Sequence, residues 1–136
     1  MATAGYSGTP LPKKLGIEEG HVVAAVDAPD HLDELLVPLP DNVTLHSGAR
    51  GKPDLSLVFC RTRRALDKRV EQMWGLAFPD RSVWVVWPKK SSSLFIDLTE
   101  DGVRDAVLGR GLVDVKVCAV DDDWSGLKLM VRKELR

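Results

Sequence analysis

This sequence is short of almost everything that would give a function away. It has two cysteines, Cys60 and Cys118, far apart in strand-like runs. That spacing excludes a disulfide framework, a CxxC redox pair and a zinc cluster, and it reads as two small buried hydrophobes in a reducing compartment. No apolar run approaches the ~20 residues that a membrane helix needs. Met1 to Gly8 has neither the basic nor the apolar stretch of a signal peptide, so a cytoplasmic protein is expected. Charge of one sign is also lacking. Lys and Arg number 19 against 20 Asp and Glu, a formal net charge of −1, which draws the chain as a whole to neither nucleic acid nor an anionic membrane. There is no Walker loop and no GxSxG elbow. Aromatic residues make up only 6%, yet four are tryptophans against a single tyrosine, so the tryptophans have to be accounted for one by one.

What is present is a succession of buried strands. At 136 residues the chain fits one domain with a real core, expected over residues 9–136 behind a small, glycine-rich, flexible arm at 1–8. His21 to Asp27, Val43 to His46, Asp54 to Cys60 and Ser82 to Trp87 read as strands. Val83 to Trp87 is apolar on both parities, the mark of a strand covered on both faces of a parallel sheet. Pro88 ends it, and Lys89 and Lys90 follow. Thr9-Pro10 is expected to open a short helix that Gly16 stops. Pro29-Asp30 is expected to open another, with Leu32, Leu35 and Leu36 on one face. Thr62 is expected to cap the longest helix, in which Leu66, Val70, Met73, Trp74 and Ala77 form a buried stripe. Asp97-Leu98-Thr99-Glu100 reads as a capping box for a helix to about Leu108, ended by Gly109 and Gly111. Val113 to Val120 and Leu127 to Val131 alternate, as half-buried strands of a terminal antiparallel hairpin do. In the first of them Val113, Val115, Val117 and Ala119 are expected to face inward.

These elements predict a three-layer α/β Rossmann-like domain of about six strands, mostly parallel, in the order 2-1-3-4-6-5 with the last strand antiparallel. In such sheets ligands bind at the carboxyl ends of the strands. That edge would gather Asp27, then Arg61, Arg63 and Arg64 at the head of the longest helix, then Lys89 and Lys90. Trp87 or Trp124 would offer a stacking face, and Trp124 would cap the site from the hairpin turn. Two basic clusters beside a helix N-terminus suit an anion. The same charges could instead be solvated, or pair with Asp121 to Asp123 across the edge. Three adjacent aspartates lack the spacing of a calcium loop and read more simply as a hairpin turn. His31 and His46 with Asp27 are too scattered in sequence to argue for a metal.

Two stretches, Leu76 to Trp87 and Gly111 to Lys133, resemble the penultimate parallel strand and closing hairpin of the class I methyltransferase variant of the Rossmann fold. The resemblance is topological, covers about residues 20–133, and is shorter than a full methyltransferase by at least one strand–helix unit. It implies edge strand 113–120. Where that fold places a glycine-rich cofactor turn, this chain reads Val26-Asp27-Ala28-Pro29-Asp30-His31, without glycine, so no cofactor is expected. Gly5 to Ile17, Trp87 to Lys90 and Asp114 to Lys128 are similar to a bacterial family known only as domain-of-unknown-function family 3052, which brings no activity with it. The expected function is therefore a non-catalytic ligand-binding or regulatory module for an anionic small molecule, phosphorylated or nucleotide-like, with enzymatic activity the less favoured reading. Alternatives are a protein-interaction domain or homodimer through edge strand 113–120, and a divergent methyltransferase-like enzyme. Neither nucleic acid nor membrane is an expected partner.

Overall fold

A computed structural model describes residues 9–136; the arm expected over residues 1–8 lies outside the described residues. Strands β1 (Val22–Val26), β2 (Thr44–Ser47), β3 (Leu55–Phe59) and β4 (Ser82–Pro88) run parallel. The hairpin of β5 (Leu112–Ala119) and β6 (Trp124–Val131) completes one six-stranded sheet, with β6 antiparallel to β4. The order is β2-β1-β3-β4-β6-β5, as the sequence predicts. The reason lies in the central strands. β3 is buried at every position and β4 from Val83 to Pro88, so both faces must be covered.

Two helical layers cover them. α1 (Leu11–Leu15) and α2 (Leu32–Leu35) lie on one face, where Leu15, Ile17 and Leu32 meet Val23, Leu57, Trp84 and Val86. α3 (Arg63–Ala77) and α4 (Glu100–Val107) lie on the other, where Leu66, Val70, Met73, Val103 and Val107 meet Val58, Val85 and Leu127. Thr62 caps α3 as expected, its hydroxyl accepting from the Ala65 amide at 3.0 Å. The other starts differ from expectation. α1 begins at Leu11, one residue later, with Pro10 in the capping place and no side-chain cap. α4 is capped by Thr99, which accepts from the Gly102 amide at 3.1 Å, rather than by Asp97. Asp97 instead accepts from the amide of Arg63 at 3.0 Å, at the head of α3.

β5 departs from its alternating pattern. The register with β6 shifts between Asp114 and Lys116, so Val115 is an extra, bulged residue. The bulge moves every later residue to the opposite face. Cys118 is therefore buried, while Val115 and Val117, expected inward, are 52% and 41% exposed. One extra residue in an edge strand leaves no composition signal, and a period of two cannot reveal it.

Between β2 and β3 there is no helix. Residues 48–54 carry the chain back past β1 in a short connection without helix, bent at Gly48 and Gly51, whose backbones are left-handed (φ +88° and +71°). Seven residues reach roughly 23–25 Å, enough to retrace a five-residue strand of about 17 Å. The segment is stitched to β1 at both ends: the Gly48 amide donates to Ala25 O at 2.9 Å, and Asp54 Oδ2 accepts from the Val22 amide at 2.8 Å. Among the described residues, no helix is long and apolar enough to cross a membrane.

Glycines at the end of α4 give a direct test of this chain path. Gly111 has φ +87°, and a Cβ there would stand 2.9 Å from Trp74 Nε1 and 3.0 Å from Leu135 Cδ1. Gly109 has open space and no left-handed backbone. Gly111→Ala should lose roughly 1–2 kcal/mol, read as a lower urea midpoint, and Gly109→Ala should be neutral or stabilising. Equal effects at the two positions would contradict the turn described.

Candidate functional site

The carboxyl ends of the parallel strands form the edge that sequence patterning singles out. At the end of β1 the chain must turn at once into the segment leading to α2. Asp27 makes that turn with φ +56°, a left-handed conformation that aspartate tolerates better than most residues. Beyond it opens a cleft of about 580 Å³, lined by Asp27, Asp30, Asp33, His46, Gly48 and Arg69 among others. Asp27 Oδ2 accepts from Arg69 Nη2 at 2.9 Å, and Arg69 Nη1 donates to Gln72 Oε1 at 2.6 Å. The Asp27–Arg69 pair also lines a second depression of about 640 Å³ along α3, so it stands as a wall between the two. It joins the end of β1 to α3 beside the point where the chain's crossovers diverge, β2 lying on one side of β1 and β3 on the other. Sheets of this kind hold ligands there.

The expected basic cluster is dispersed, because its charges are already engaged or separated. Arg63 Nε bonds Asp67 at 3.0 Å and its Nη2 pairs with Asp105 at 3.2 Å. The Asp67 bond does most to raise the guanidinium pKa, with Asp105 adding to it. The head of α3, where an anion was expected, is filled by the chain's own Asp97 carboxylate and Thr62 hydroxyl. Arg61 lies over the Trp124 ring, 5.3 Å from its centroid. Arg64 is exposed and, among the described residues, in no ion pair. Lys89 and Lys90 line a separate cleft of about 390 Å³ with Trp87, Thr99, Glu100 and Asp101. Asp27 is not part of that cleft, so the single site expected from the sequence is two.

Both tryptophan rings are buried in the core, Trp87 only bordering the Lys89–Lys90 cleft. Trp124 is 1% exposed, packed edge-on against Phe59 with centroids 5.2 Å apart, and Trp87 is 3% exposed. The physical reason is position. Trp124 opens β6 directly opposite Pro88, so its ring turns onto the sheet face that α1 and α2 cover. The aspartate run shapes the turn. Asp121 Oδ1 accepts from the amides of Asp123 and Trp124, both at 2.8 Å, and its Oδ2 faces His31 Nε2 at 3.2 Å. Asp123 accepts from Ser92 Oγ at 2.8 Å, and the Lys89 amide donates to Asp123 O at 2.8 Å. The run thus holds the loop after β4, and its carboxylates form no ion pair with Lys89 or Lys90. Among the described residues no three His, Cys, Asp or Glu side chains converge as a metal site.

Arg69 was not singled out by sequence reasoning, and Asp97 was expected only as part of a helix cap, not at the head of α3. Arg69 lies beside the buried stripe of α3 and carries no signal beyond that. Its partner is 42 residues away. At Cys60, after the end of β3, burial disfavours the thiolate and pushes the thiol up to about 12 from an ordinary 9.0, with Arg69 only partly opposing.

Comparison with known proteins bears on the fold. No protein-family model and no curated protein matches the chain. Solved structures do. A SAM-dependent methyltransferase from Aquifex aeolicus superposes with a TM-score of 0.61 at 15% identity, over 89% of this chain and 87% of the other. TrmN from Thermus thermophilus gives 0.57 at 10%, over 89% of this chain, which spans about half (47%) of that protein's length. The magnesium protoporphyrin IX methyltransferase of Synechocystis, with bound SAM, gives 0.56 at 12%, over 90% of this chain and 74% of the other. At such identities the likeness is one of fold. The domain has the methyltransferase-like, Rossmann-type architecture.

The thiol gives a pH test with a definite sign. Between about pH 9 and 12 the unfolded chain loses the Cys60 proton and the folded chain keeps it, so folding stability falls as pH rises through that window. Cys60→Ala should flatten part of that fall when urea midpoints are followed upward from about pH 8.5. Identical slopes in the two proteins would show that the thiol is not protected.

Proposed function

We propose that this domain binds a hydroxyl-bearing small molecule of nucleoside type, neutral or positively charged overall, in the cleft over the ends of β1 and β2. Adenosylmethionine belongs to that class. The observation that carries the reading is the charge of the lining: Asp27, Asp30 and Asp33 stand against Arg69 in a cleft of about 580 Å³, a size suited to a small molecule. Three carboxylates repel a polyphosphate and attract a sulfonium or ammonium group. Asp27 can accept from ribose hydroxyls, and Arg69 can hold a carboxylate by its fork of donors. The turn that glycine makes elsewhere is made here by Asp27 in a left-handed conformation. The missing glycines therefore cost the site its closest backbone approach, and the turn itself survives.

An anionic, phosphorylated ligand draws its support from Lys89 and Lys90, and there the carboxylates of Glu100 and Asp101 share the lining. Transfer of a methyl group is the second reading, favoured by the methyltransferases among the structural neighbours. It requires a nucleophilic acceptor from a second substrate, seated against the bound molecule, to take the methyl group as the sulfonium leaves as a thioether.

Thermal shift and calorimetry with adenosylmethionine, adenosylhomocysteine and ATP test this directly. Adenosylmethionine or adenosylhomocysteine should raise the melting temperature; a ligand at a hundred times its Kd adds about 2.7 kcal/mol. ATP should add little, and Asp27→Ala or Arg69→Ala should weaken binding about tenfold or more. Preference for ATP, no shift at millimolar ligand, or undiminished binding in both variants would overturn the reading.

A further inference from the structure

β5 ends the sheet on the side opposite β2 and the ligand cleft. Among the described residues it pairs only with β6, and its other backbone edge has no strand beside it. Such an edge is a template for strand addition unless it is blunted or covered. The bulge at Val115 bends it, but Lys116–Ala119 continue in regular register beyond, with Val117 turned outward and 41% exposed.

Charge along this stretch is one-sided. A cleft of about 520 Å³ between the edge and α1 is lined by Lys13, Lys14 and Lys116, and by no carboxylate. Lys116 sits directly across from Lys128 in the β5–β6 register. The Nζ of Lys128 reaches to 3.5 Å from where a Cβ on Gly16 would be, so it too lies at the end of α1. Like charges directly opposite on a sheet face are destabilising. The acid on the strand, Asp114, is held by Arg104 Nε at 3.0 Å. Lys116 Nζ donates to Lys14 O and Lys14 Nζ to Ala119 O, each at 3.3 Å, which sets these cations along the strand edge through neutral carbonyls.

We infer that this edge docks an extended acidic segment of another protein. The segment adds as a strand to β5 and sets its carboxylates against Lys13, Lys116 and Lys128. Val117 and the Ala119 amide supply main-chain hydrogen bonds, the Ala119 carbonyl being held by Lys14 Nζ; the lysines select the charge, and the Val117 side chain supplies an apolar contact. A second copy of this chain fits less well, since symmetric pairing would bring two sets of lysines together. Nucleic acid would use the charge and leave the strand edge idle. The inference is independent of the ligand cleft.

Fluorescence anisotropy on the full chain tests it, with a labelled peptide of alternating Glu and Val about eight residues long, the length of β5. Saturable binding should weaken roughly tenfold in Lys13→Glu/Lys116→Glu and fall as salt is raised. Val117→Pro, which blocks strand addition at an edge that tolerates proline, should weaken it as well. The charge-reversed variant stands alone as the test if Val117→Pro does not fold by circular dichroism. No binding, undiminished binding by the charge-reversed variant, tighter binding of a single-stranded oligonucleotide, or a dimer in light scattering that Val117→Pro abolishes would each overturn the inference.

Discussion

One buried hydrogen bond ties the layers of this domain together. The indole Nε1 of Trp84 donates to the Leu15 carbonyl at 2.9 Å, joining the central strand β4 to the end of α1 across 69 residues of chain. Trp84 is fully buried, so its N–H left unpaired would cost about 1–3 kcal/mol. The bond therefore fixes where α1 sits. It also dictates the neighbouring strand. Gly126 of β6 faces the ring, and a Cβ there would come within 3.1 Å of it. A side chain at that position would require the ring or the strand to give by a few tenths of an ångström. A tryptophan, a helix end and a glycine far apart in sequence are one mechanical unit, and the helical layer that carries the lysine edge is anchored through it.

The fold was readable wherever burial alone decides it. Val83 to Trp87 is apolar on both parities and lies at the centre of the sheet, and the Thr62 cap and the stripe of α3 follow from local rules. Where two remote segments decide together, the sequence is silent. Arg63 looked like a free cation until Asp105, 42 positions on, came to lie 3.2 Å away. Trp124 in its acidic turn looked like a surface ring, but pairing opposite Pro88 puts it in the core. β5 failed for a different reason. Its alternation is real up to Asp114, and then one bulged residue reverses the faces. A pattern of period two carries no record of a single inserted step.

Charge is distributed by place more than by amount. The chain's formal net charge is −1, yet one end of the sheet gathers aspartates around a cleft and the opposite edge gathers lysines around another. Opposite ends of one rigid sheet thus present opposite potentials to solvent. Within about a Debye length, 8 Å at physiological salt, such local fields outweigh the net charge in choosing what approaches.

The short, helix-free connection between β2 and β3 has a dynamic consequence. β2 is an edge strand of four residues, exposed at both ends and half-buried between, and it pairs with β1 alone. Its edge position and exposure should give its amides less protection from exchange than those of the buried central strands β3 and β4. The cleft floor is therefore formed partly by a weakly covered edge strand. A molecule seated there would act as the missing cover, and its arrival would slow hydrogen exchange in β2 more than anywhere else in the sheet.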